Sequence, residues 1–226
     1  MGRVFWWCAV AMLVACFNGV VLRAEDRWIV LFDGKSRDAW RGYQRKDFPD
    51  KGWSIDQGAF KTIVGGDQVD LITKRKFRNF ELELEWKVSP GGNSGVFYRA
   101  SEEDKAIWHS APEVQVLDDE RHRDGRNPKT SAASLYALIA PGGKKLRPVG
   151  EFNHLRVVLR GSNGEHWLNG VKVVEYELGS PQLRDLIAES KFKNMPRFSV
   201  LPEGHIGLQH HGEEVWFRKI RVRELP

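Results

Sequence analysis

The segment EVQVLDD, residues 113–119, places a carboxylate and an amide at alternate positions of a predicted strand. Successive strand residues point to opposite faces of a sheet, so Glu113 and Gln115 share one face and the two valines share the other. A glutamate beside a glutamine is a hydrogen-bonding pair more than a solubilising one. The pair, with Asp118 at the strand end, forms either the solvated face of a sheet or the lining of a polar site.

The segment NSGVFYR, residues 93–99, offers a second set of groups suited to sugars. Asn93 and Ser94 are predicted to lie in a glycine-rich loop, and Arg99 is predicted to share a strand face with Phe97. A guanidinium donates forked hydrogen bonds and an aromatic ring stacks on a sugar face. The alternative is an ordinary hairpin with a surface arginine.

The segment GLQHHGEE supplies the groups that titrate near neutral pH. Gln209 and His211 share a face if the strand extends that far, and adjacent histidines on a strand point in opposite directions. At most one of His210 and His211 therefore lines a given pocket, where it could act as an acid or a base. A metal site usually needs three or more ligands. The spacing favours none, so no cofactor is predicted, and a divalent metal remains an alternative.

The segment ELELE places Glu81, Glu83 and Glu85 on one face of a strand. Alternate strand residues are about 6.6 Å apart, and inverting glycosidases separate their carboxyl groups by about 6.5–9.5 Å. An ordinary retaining or inverting glycosidase is therefore one hypothesis. We favour the other reading, in which the three glutamates form the solvated outer face of a sheet.

These candidate groups must be positioned by short strands. The pattern of apolar and turn residues predicts about ten to twelve strands separated by turns. They include GWSIDQGAFKTI, FELELEWKV, VFYRA, EVQVLD and LYALIA. One helix is predicted, with Ser180 as its cap, Pro181 at its first position, and Leu183, Leu186 and Ile187 at helical spacing. This pattern predicts one all-β domain, an antiparallel two-sheet jelly-roll sandwich with one short helix before the last strands.

The first 24 residues have the pattern of a secretory signal peptide, and residues 25–226 form the predicted domain. Arg3 precedes an apolar stretch, and cleavage after Ala24 is expected. Alternatively, LVAC resembles a bacterial lipoprotein box with Cys16 as the acylated residue, and an uncleaved anchor is a third possibility. The predicted location is secreted or periplasmic, with membrane attachment only through that lipid.

Cysteine and charge usage exclude several classes of function. Both cysteines, Cys8 and Cys16, lie in the leader, so the mature chain has no disulfide, thiolate metal site or cysteine nucleophile. The net charge is +5, and removing Arg3 and Arg23 leaves 33 basic against 30 acidic residues. So mild and scattered an excess does not predict a nucleic-acid partner.

An ordered set of stretches resembles the 3-keto-disaccharide hydrolase family of secreted bacterial proteins. The stretches are LFDGK, GGD, DLITK, FELELEWKVSPGGNSGVFYR, PEVQVLDD, GEFN, HWLNGVKVVEYE, SKFKNMP, GHIGLQHHG and FRKIRVREL, and they extend over residues 28–225. The resemblance implies a concanavalin-like jelly roll that cleaves glycosides already oxidised to a ketone at C3, so the expected partner is a carbohydrate substrate.

The resemblance also implies where the sugar binds. It indicates a concave surface formed by the NSGV–Arg segment, the Glu-x-Gln strand and the Gln-x-His-Gly loop. Candidate substrate-binding residues are Asn93, Ser94, Asp118, His122, Tyr136, Gln209 and Lys74.

Two positions depart from the family pattern. His210 stands where GLQDHG would have an aspartate, and the AGALYDL pattern reads Ala132-Ala133-Ser134-Leu135-Tyr136-Ala137. If the missing aspartate is a ligand or an acid, the protein is slower, differently specific or only a binder.

The chemistry that the resemblance implies needs one base, one donor to the ketone oxygen and one acid. A C3 ketone acidifies the C2–H bond, and the enolate then expels the C1 substituent before water adds. Glu113 or His211 is expected as the base, Arg99 and Gln115 as donors, and His122 or His211 as the acid. A non-catalytic carbohydrate-binding module remains the main alternative, because jelly rolls host lectins as well as enzymes.

Overall fold

The computed structural model describes residues 27–226, which form two antiparallel sheets and one α-helix. The predicted signal peptide and Cys16 lie outside the described residues. The strands are β1 Ile29–Phe32, β2 Trp40–Gly42, β3 Trp53–Asp56, β4 Ala59–Thr62, β5 Leu71–Phe77, β6 Phe80–Val88, β7 Asn93–Ala100, β8 Glu113–Leu117, β9 Asn153–Arg160, β10 Asn163–Leu168, β11 Val171–Glu177, β12 Gly204–Leu208 and β13 Val215–Glu224. The helix α1 spans Pro181–Ala188.

The strand order defines a two-layer sandwich. One sheet has eight strands in the order β11-β10-β9-β6-β13-β4-β3, with β1 paired to β13, and the other has five in the order β2-β5-β12-β7-β8. Each sheet combines hairpin neighbours, such as β7 and β8, with neighbours from distant parts of the chain, such as β6 and β13 or β7 and β12, as expected of a jelly roll. The predicted fold class is confirmed. Among residues 27–226, no helix is long and apolar enough to cross a membrane.

Apolar residues at alternate strand positions form the core between the sheets. Leu82, Leu84 and Trp86 of β6 face Val114 and Val116 of β8 across this interior, and all five are almost fully buried. Burying such side chains contributes about 1.5–3 kcal/mol each. The same alternation turns the polar residues of β6 and β8 away from the core, to the outer faces of the two sheets.

The helix is built as the sequence predicts. The Ser180 hydroxyl accepts a hydrogen bond from the Leu183 amide at 3.2 Å, and Pro181 occupies the first turn. Leu183 is buried against the core, whereas Leu186 and Ile187 are partly buried beside it. After α1 the chain runs mostly as turns through residues 189–200.

Two local predictions are wrong. LYALIA is not a strand, because Leu135 makes only isolated bridges to Val114 and Ile139 and the segment turns at Ala137 with φ +61°. Asn93 and Ser94 are not loop residues, because β7 begins at Asn93. Cross-strand pairing of Asn93 with Leu117 and of Ser94 with Val116 overrides the local turn preference of a Gly-Asn-Ser sequence.

Candidate active site

A small pocket lies on the outer face of the five-stranded sheet, over β7 and β8. Its volume is about 180 Å³. Its lining residues come from seven separate segments of the chain and are Asn93, Trp108, Glu113, Gln115, Arg123, Asp124, Tyr136, Lys191, Gln209 and His211. The structure therefore brings together six of the residues that the sequence singled out: Asn93, Glu113, Gln115, Tyr136, Gln209 and His211.

The carboxyl group of Glu113 forms the floor of the pocket. It lies across Gly95 of the neighbouring strand, where a β-carbon would come within 2.0 Å of Oε1. The residue is only 6% exposed. Burial raises the pKa of the Glu113 carboxyl to about 8, with Lys191 opposing the increase and Asp70 and Asp124 adding to it. Glu113 is therefore largely protonated at neutral pH and becomes a strong base once ionised.

Lys191 faces Glu113 from the segment that follows α1. Its ammonium nitrogen lies 4.3 Å from the ring centroid of Tyr136 and 5.1 Å from that of Trp108. The residue as a whole is exposed, but its ammonium group enters the pocket, and burial there lowers the pKa of Lys191 while Glu113 opposes the shift. Aromatic faces attract such a cation, so Trp108 and Tyr136 hold a positive charge beside the carboxyl.

The amide side of the pocket is a chain of weak hydrogen bonds. Gln115 Nε2 donates to Asn93 Oδ1 at 3.4 Å, and Asn93 Nδ2 lies 3.4 Å from His122 Nε2. The other ring nitrogen of His122 accepts from the Asp124 amide at 3.2 Å. His122 thus borders the pocket and fixes the loop that carries Asp124.

His211 closes the opposite side. Its Nδ1 lies 2.9 Å from Glu213 Oε2, and its ring meets the His122 ring edge-on at a centroid distance of 6.2 Å. The backbone amide of Gln209 donates to the Gly95 carbonyl at 2.9 Å, which extends the β12–β7 ladder and keeps Gln209 and His211 on the pocket side. His211 therefore lines the pocket with one ring nitrogen held by a carboxylate, a geometry that suits a proton donor.

His210 points the other way, as the strand alternation predicts. Its ring packs edge-on against Trp53 at a centroid distance of 5.6 Å, and both ring nitrogens are buried without a hydrogen-bond partner among residues 27–226. Its backbone amide donates to Asp70 Oδ1 at 2.9 Å. The departure from the GLQDHG pattern therefore alters the support behind the pocket and removes no group from its lining.

Arg99 does not belong to the pocket, which corrects the donor role expected for it. Between Phe97 and Ala100, β7 has one residue more than the paired stretch of β12, and Arg99 adopts φ +52°. Such a bulge reverses the alternation, so Phe97 shares its face with Ala100. Arg99 instead donates from Nη2 to the carbonyls of Arg78 at 3.2 Å and Gly161 at 2.9 Å.

Three further candidates lie outside the pocket. Ser94 is buried and donates to the Gln209 carbonyl at 2.7 Å, so it supports the site without lining it. Asp118 accepts from the Gly91 amide at 2.7 Å and lines a separate cavity. Lys74 is exposed on β5 and donates its backbone amide to the Ala39 carbonyl at 2.8 Å.

The pocket residues that sequence reasoning missed are Trp108, Arg123, Asp124 and Lys191. Tyr136 donates to Asp124 Oδ2 at 3.3 Å, and this contact spans a loop of two 3-10 helices, Arg123–Arg126 and Pro128–Thr130. Lys191 stands in SKFKNMP, a stretch that the family resemblance includes, but nothing in its spacing separates it from a surface lysine. No periodic signal marks residues in irregular segments.

The glutamates of ELELE lie on the outer face of the other sheet. Each pairs with a basic residue of β13: Glu81 with Arg223 at 2.5 Å, Glu83 with Arg221 at 2.5 Å, and Glu85 with Arg218 at 2.6 Å. The cations that the local sequence lacks are thus supplied across the sheet. These paired carboxylates are remote from the pocket, which removes the basis for the ordinary glycosidase hypothesis.

The part of the chain that the structure describes has no cluster of three or more His, Cys, Asp or Glu side chains suited to a metal ion.

Comparison with known proteins identifies relatives across the whole described region. Residues 27–223 match the model of the 3-keto-α-glucoside-1,2-lyase-like domain. A 3-keto-disaccharide hydrolase of Bacteroides thetaiotaomicron is 41% identical over 230 aligned positions, covering 88% of this chain and 79% of the relative.

Solved structures agree with the fold. A crystal structure of a candidate glycosyl hydrolase from Parabacteroides distasonis superposes with a TM-score of 0.81 at 28% identity, covering 88% of this chain and 94% of that one. A family 16 endo-β-1,3(4)-glucanase superposes with a TM-score of 0.51 at 9% identity, covering 86% of this chain and 90% of that one, which shows a shared fold alone.

Proposed function

Because the chain belongs to the 3-keto-α-glucoside-1,2-lyase-like family, we propose that it hydrolyses disaccharides whose sugar carries a ketone at C3. The observation that carries the proposal is the Glu113 carboxyl, buried in a pocket with one lysine opposite and a pKa raised to about 8. That arrangement suits the removal of a weakly acidic C–H proton. An ordinary glycosidase would instead use two carboxyl groups flanking the glycosidic bond.

The base in this proposal is Glu113. Its carboxylate takes the C2 proton, which the neighbouring C3 ketone acidifies, and the C–H electron pair moves into an enolate. No donor among residues 27–226 forms a hydrogen bond with this carboxylate, and therefore no such bond lowers its basicity. A base whose pKa lies close to the working pH combines a usable ionised fraction with a strong driving force for proton transfer.

Lys191 and Gln115 would stabilise the enolate oxygen. The Lys191 ammonium lies on the side of the pocket facing Glu113. The Gln115 amide lies on the same strand as Glu113, two residues further along and on the same face. Lys191 takes the role that the sequence suggested for Arg99. Preorganised donors of this kind typically lower a barrier by about 2.7–4 kcal/mol each.

His211 would complete the elimination as the acid. The enolate expels the C1 substituent, the C1–O bond breaks with its electron pair on the leaving oxygen, and His211 protonates that oxygen. The product is a 1,2-unsaturated 3-keto sugar, and addition of water across its double bond gives net hydrolysis. His211 suits this role better than His122, because His211 lines the pocket and His122 directs Nε2 at Asn93.

The proposal is tested by incubating the purified protein with a 3-keto-disaccharide and with its unoxidised parent in D₂O and following both by NMR. Cleavage of the keto sugar alone, with deuterium at C2 of the product, is expected. Glu113→Gln should abolish both cleavage and exchange, with Glu203→Gln, an exposed glutamate away from the pocket, as the matched control. Binding of both sugars without cleavage would instead indicate a carbohydrate-binding module.

Export is the remaining part of the proposal and rests on the leader pattern of residues 1–24. An exported enzyme meets disaccharides outside the cytoplasm. Cell fractionation of the native host, with mass determination of the mature N-terminus, tests it, and a cytoplasmic protein that retains Met1 would contradict it.

A further inference from the structure

A second cavity opens at the far end of β7, remote from the candidate active site. Its volume is about 610 Å³. Arg99 lies six residues along β7 from Asn93, which corresponds to about 20 Å of extended chain. Three arginines, Arg78, Arg99 and Arg184, line the cavity, and no aspartate or glutamate does. We refer to it as the arginine cavity.

Arg99 is a buried cation that has no carboxylate partner within the described part of the chain. It is only 8% exposed, and its Nε is buried with no hydrogen-bond partner among the described residues. Its Nη2 is held by the two carbonyl contacts described above, and Nη1 has no acceptor in the region from residue 27 to residue 226. Buried charges in proteins are normally paired. Burial, aided by the nearby charge of Arg78, lowers the pKa of Arg99.

The other two arginines add positive charge at the mouth. Arg78 and Arg184 are exposed, and neither forms an ion pair with any residue of 27–226. One guanidinium nitrogen of Arg184 donates to the Gly179 carbonyl, which holds the side chain at the rim. Three guanidinium groups, with no carboxylate among the described lining residues, make the arginine cavity attractive to an anion.

One wall of the cavity is apolar, and Asn79, Ser162 and Ser199 add polar groups elsewhere in the lining. Phe198 is buried, and Val200 is 65% exposed beside it. Ile187 of α1 and Pro202 complete this side. Such a wall contacts the C–H face of a sugar ring, and the volume lies within the usual range of about 300–1,000 Å³ for small-molecule sites.

We propose that the arginine cavity binds a monosaccharide-sized organic anion, a sugar bearing a carboxylate, sulfate or phosphate group. Forked guanidinium donors match the oxygens of all three groups. The anionic group would meet Nη1 of Arg99 at the base and the guanidinium groups of Arg78 and Arg184 at the mouth. The proposal goes beyond the hydrolase function and does not depend on it, because the two sites share no lining residue.

The test is calorimetric titration of the purified protein with glucuronate, glucose 6-sulfate and glucose 6-phosphate, with glucose as the neutral comparison. Because Arg99 supports two backbone carbonyls and its loss could unfold the chain, the variant is Arg78→Gln combined with Arg184→Gln. The matched control is Arg75→Gln, an exposed arginine that pairs with Glu224 outside the cavity. Removing a charged hydrogen bond typically weakens binding about tenfold or more.

At least one of the anions is expected to bind, and glucose is not. The affinity for the anion should fall as sodium chloride rises from about 0.05 to 0.5 M, because added salt screens the charges of the exposed arginines. The double variant should lose at least tenfold in affinity, and the control should keep it. The three anions distinguish which group the site prefers. Equal affinity in the double variant and the control would overturn the proposal. So would the absence of binding by every anion at millimolar concentration.

Discussion

The carboxyl group of Glu113 occupies the space that a side chain at Gly95 would need. A β-carbon built on Gly95 would lie 2.0 Å from Oε1 and 2.7 Å from Cδ of Glu113. Both residues belong to the β7–β8 pair, in which Gly95 is opposite Gln115 and Phe97 is opposite Glu113. The missing side chain on one strand therefore sets the direction of the carboxyl on the next.

Substituting Gly95 with alanine should displace Glu113 from the pocket floor. The methyl group cannot fit without moving the carboxyl by an ångström or more, and such a misplacement can cost about 100-fold in rate. Initial rates of 3-keto-disaccharide cleavage measure the effect. Overpacking should also cost about 1–3 kcal/mol of unfolding free energy.

The matched control is Gly142→Ala, where the nearest atom to a new β-carbon is 3.9 Å away. This variant should keep its rate. A Gly95→Ala protein with an unchanged rate would show that the position of the Glu113 carboxyl is not critical.

Replacing Lys191 with methionine should lower turnover by about 100-fold or more while leaving the fold intact. Methionine keeps an unbranched side chain against Trp108 and Tyr136 but removes the cation, and one preorganised donor is worth about 2.7–4 kcal/mol of barrier. Steady-state kinetics would show the loss mainly in kcat, because the negative charge develops on the sugar oxygen only during the reaction.

Lys193→Met is the control, since Lys193 is exposed two residues further along and does not line the pocket. Lys191→Arg should recover part of the rate, because it restores the charge without the geometry. Equal kinetics in the Lys191→Met and Lys193→Met proteins would contradict a role for Lys191.

The rate should depend on pH through Glu113. If Glu113 is the base, kcat/KM rises as the carboxyl ionises near pH 8, and it levels off above that value. At still higher pH it should fall as the proton-donating groups of the pocket lose their protons, among them Lys191, whose pKa burial lowers from the ordinary value of 10.5. A profile measured from pH 5 to 11 should therefore be bell-shaped, whereas a profile that is flat across pH 8 would exclude Glu113 as the titrating base.

The free energy of unfolding should also depend on pH through Glu113, and it should decrease over the pH range in which the rate increases. Glu113 has a pKa of 4.5 unfolded and about 8 folded, so the folded state binds more protons between these values. Its contribution is fully present below pH 4.5 and is lost as pH rises through 8, with a limiting slope of about 1.4 kcal/mol per pH unit.

Urea unfolding of the wild type and Glu113→Gln at pH 5, 7 and 9 measures this contribution. The variant should gain stability relative to the wild type as pH rises to 8, and the gap should stay constant above it. Glu203→Gln, at an exposed site, should show no such trend. A gap between wild type and Glu113→Gln that does not change with pH would mean that Glu113 is ionised normally in the folded protein.

The alternation of apolar and polar residues determined much of the site in advance. Glu113 and Gln115 face the pocket while the alternate valines of β8 enter the core, and His211 faces the pocket while His210 turns to Trp53. A strand has a side-chain period of two, so its residues alone fix which of them share a face. The capped helix at Ser180 followed from equally local chemistry.

Only the tertiary structure decided which faces meet and where alternation fails. The bulge at Arg99 depends on pairing with β12, and the arginines that neutralise Glu81, Glu83 and Glu85 come from β13, more than 130 residues away along the chain. Lys191 approaches Glu113 from an irregular segment, in which no periodic pattern of apolar residues indicates the direction of a side chain. Local sequence encodes direction within one strand, whereas charge pairing, bulges and pocket closure depend on contacts between distant segments, and these set the pKa values on which the chemistry rests.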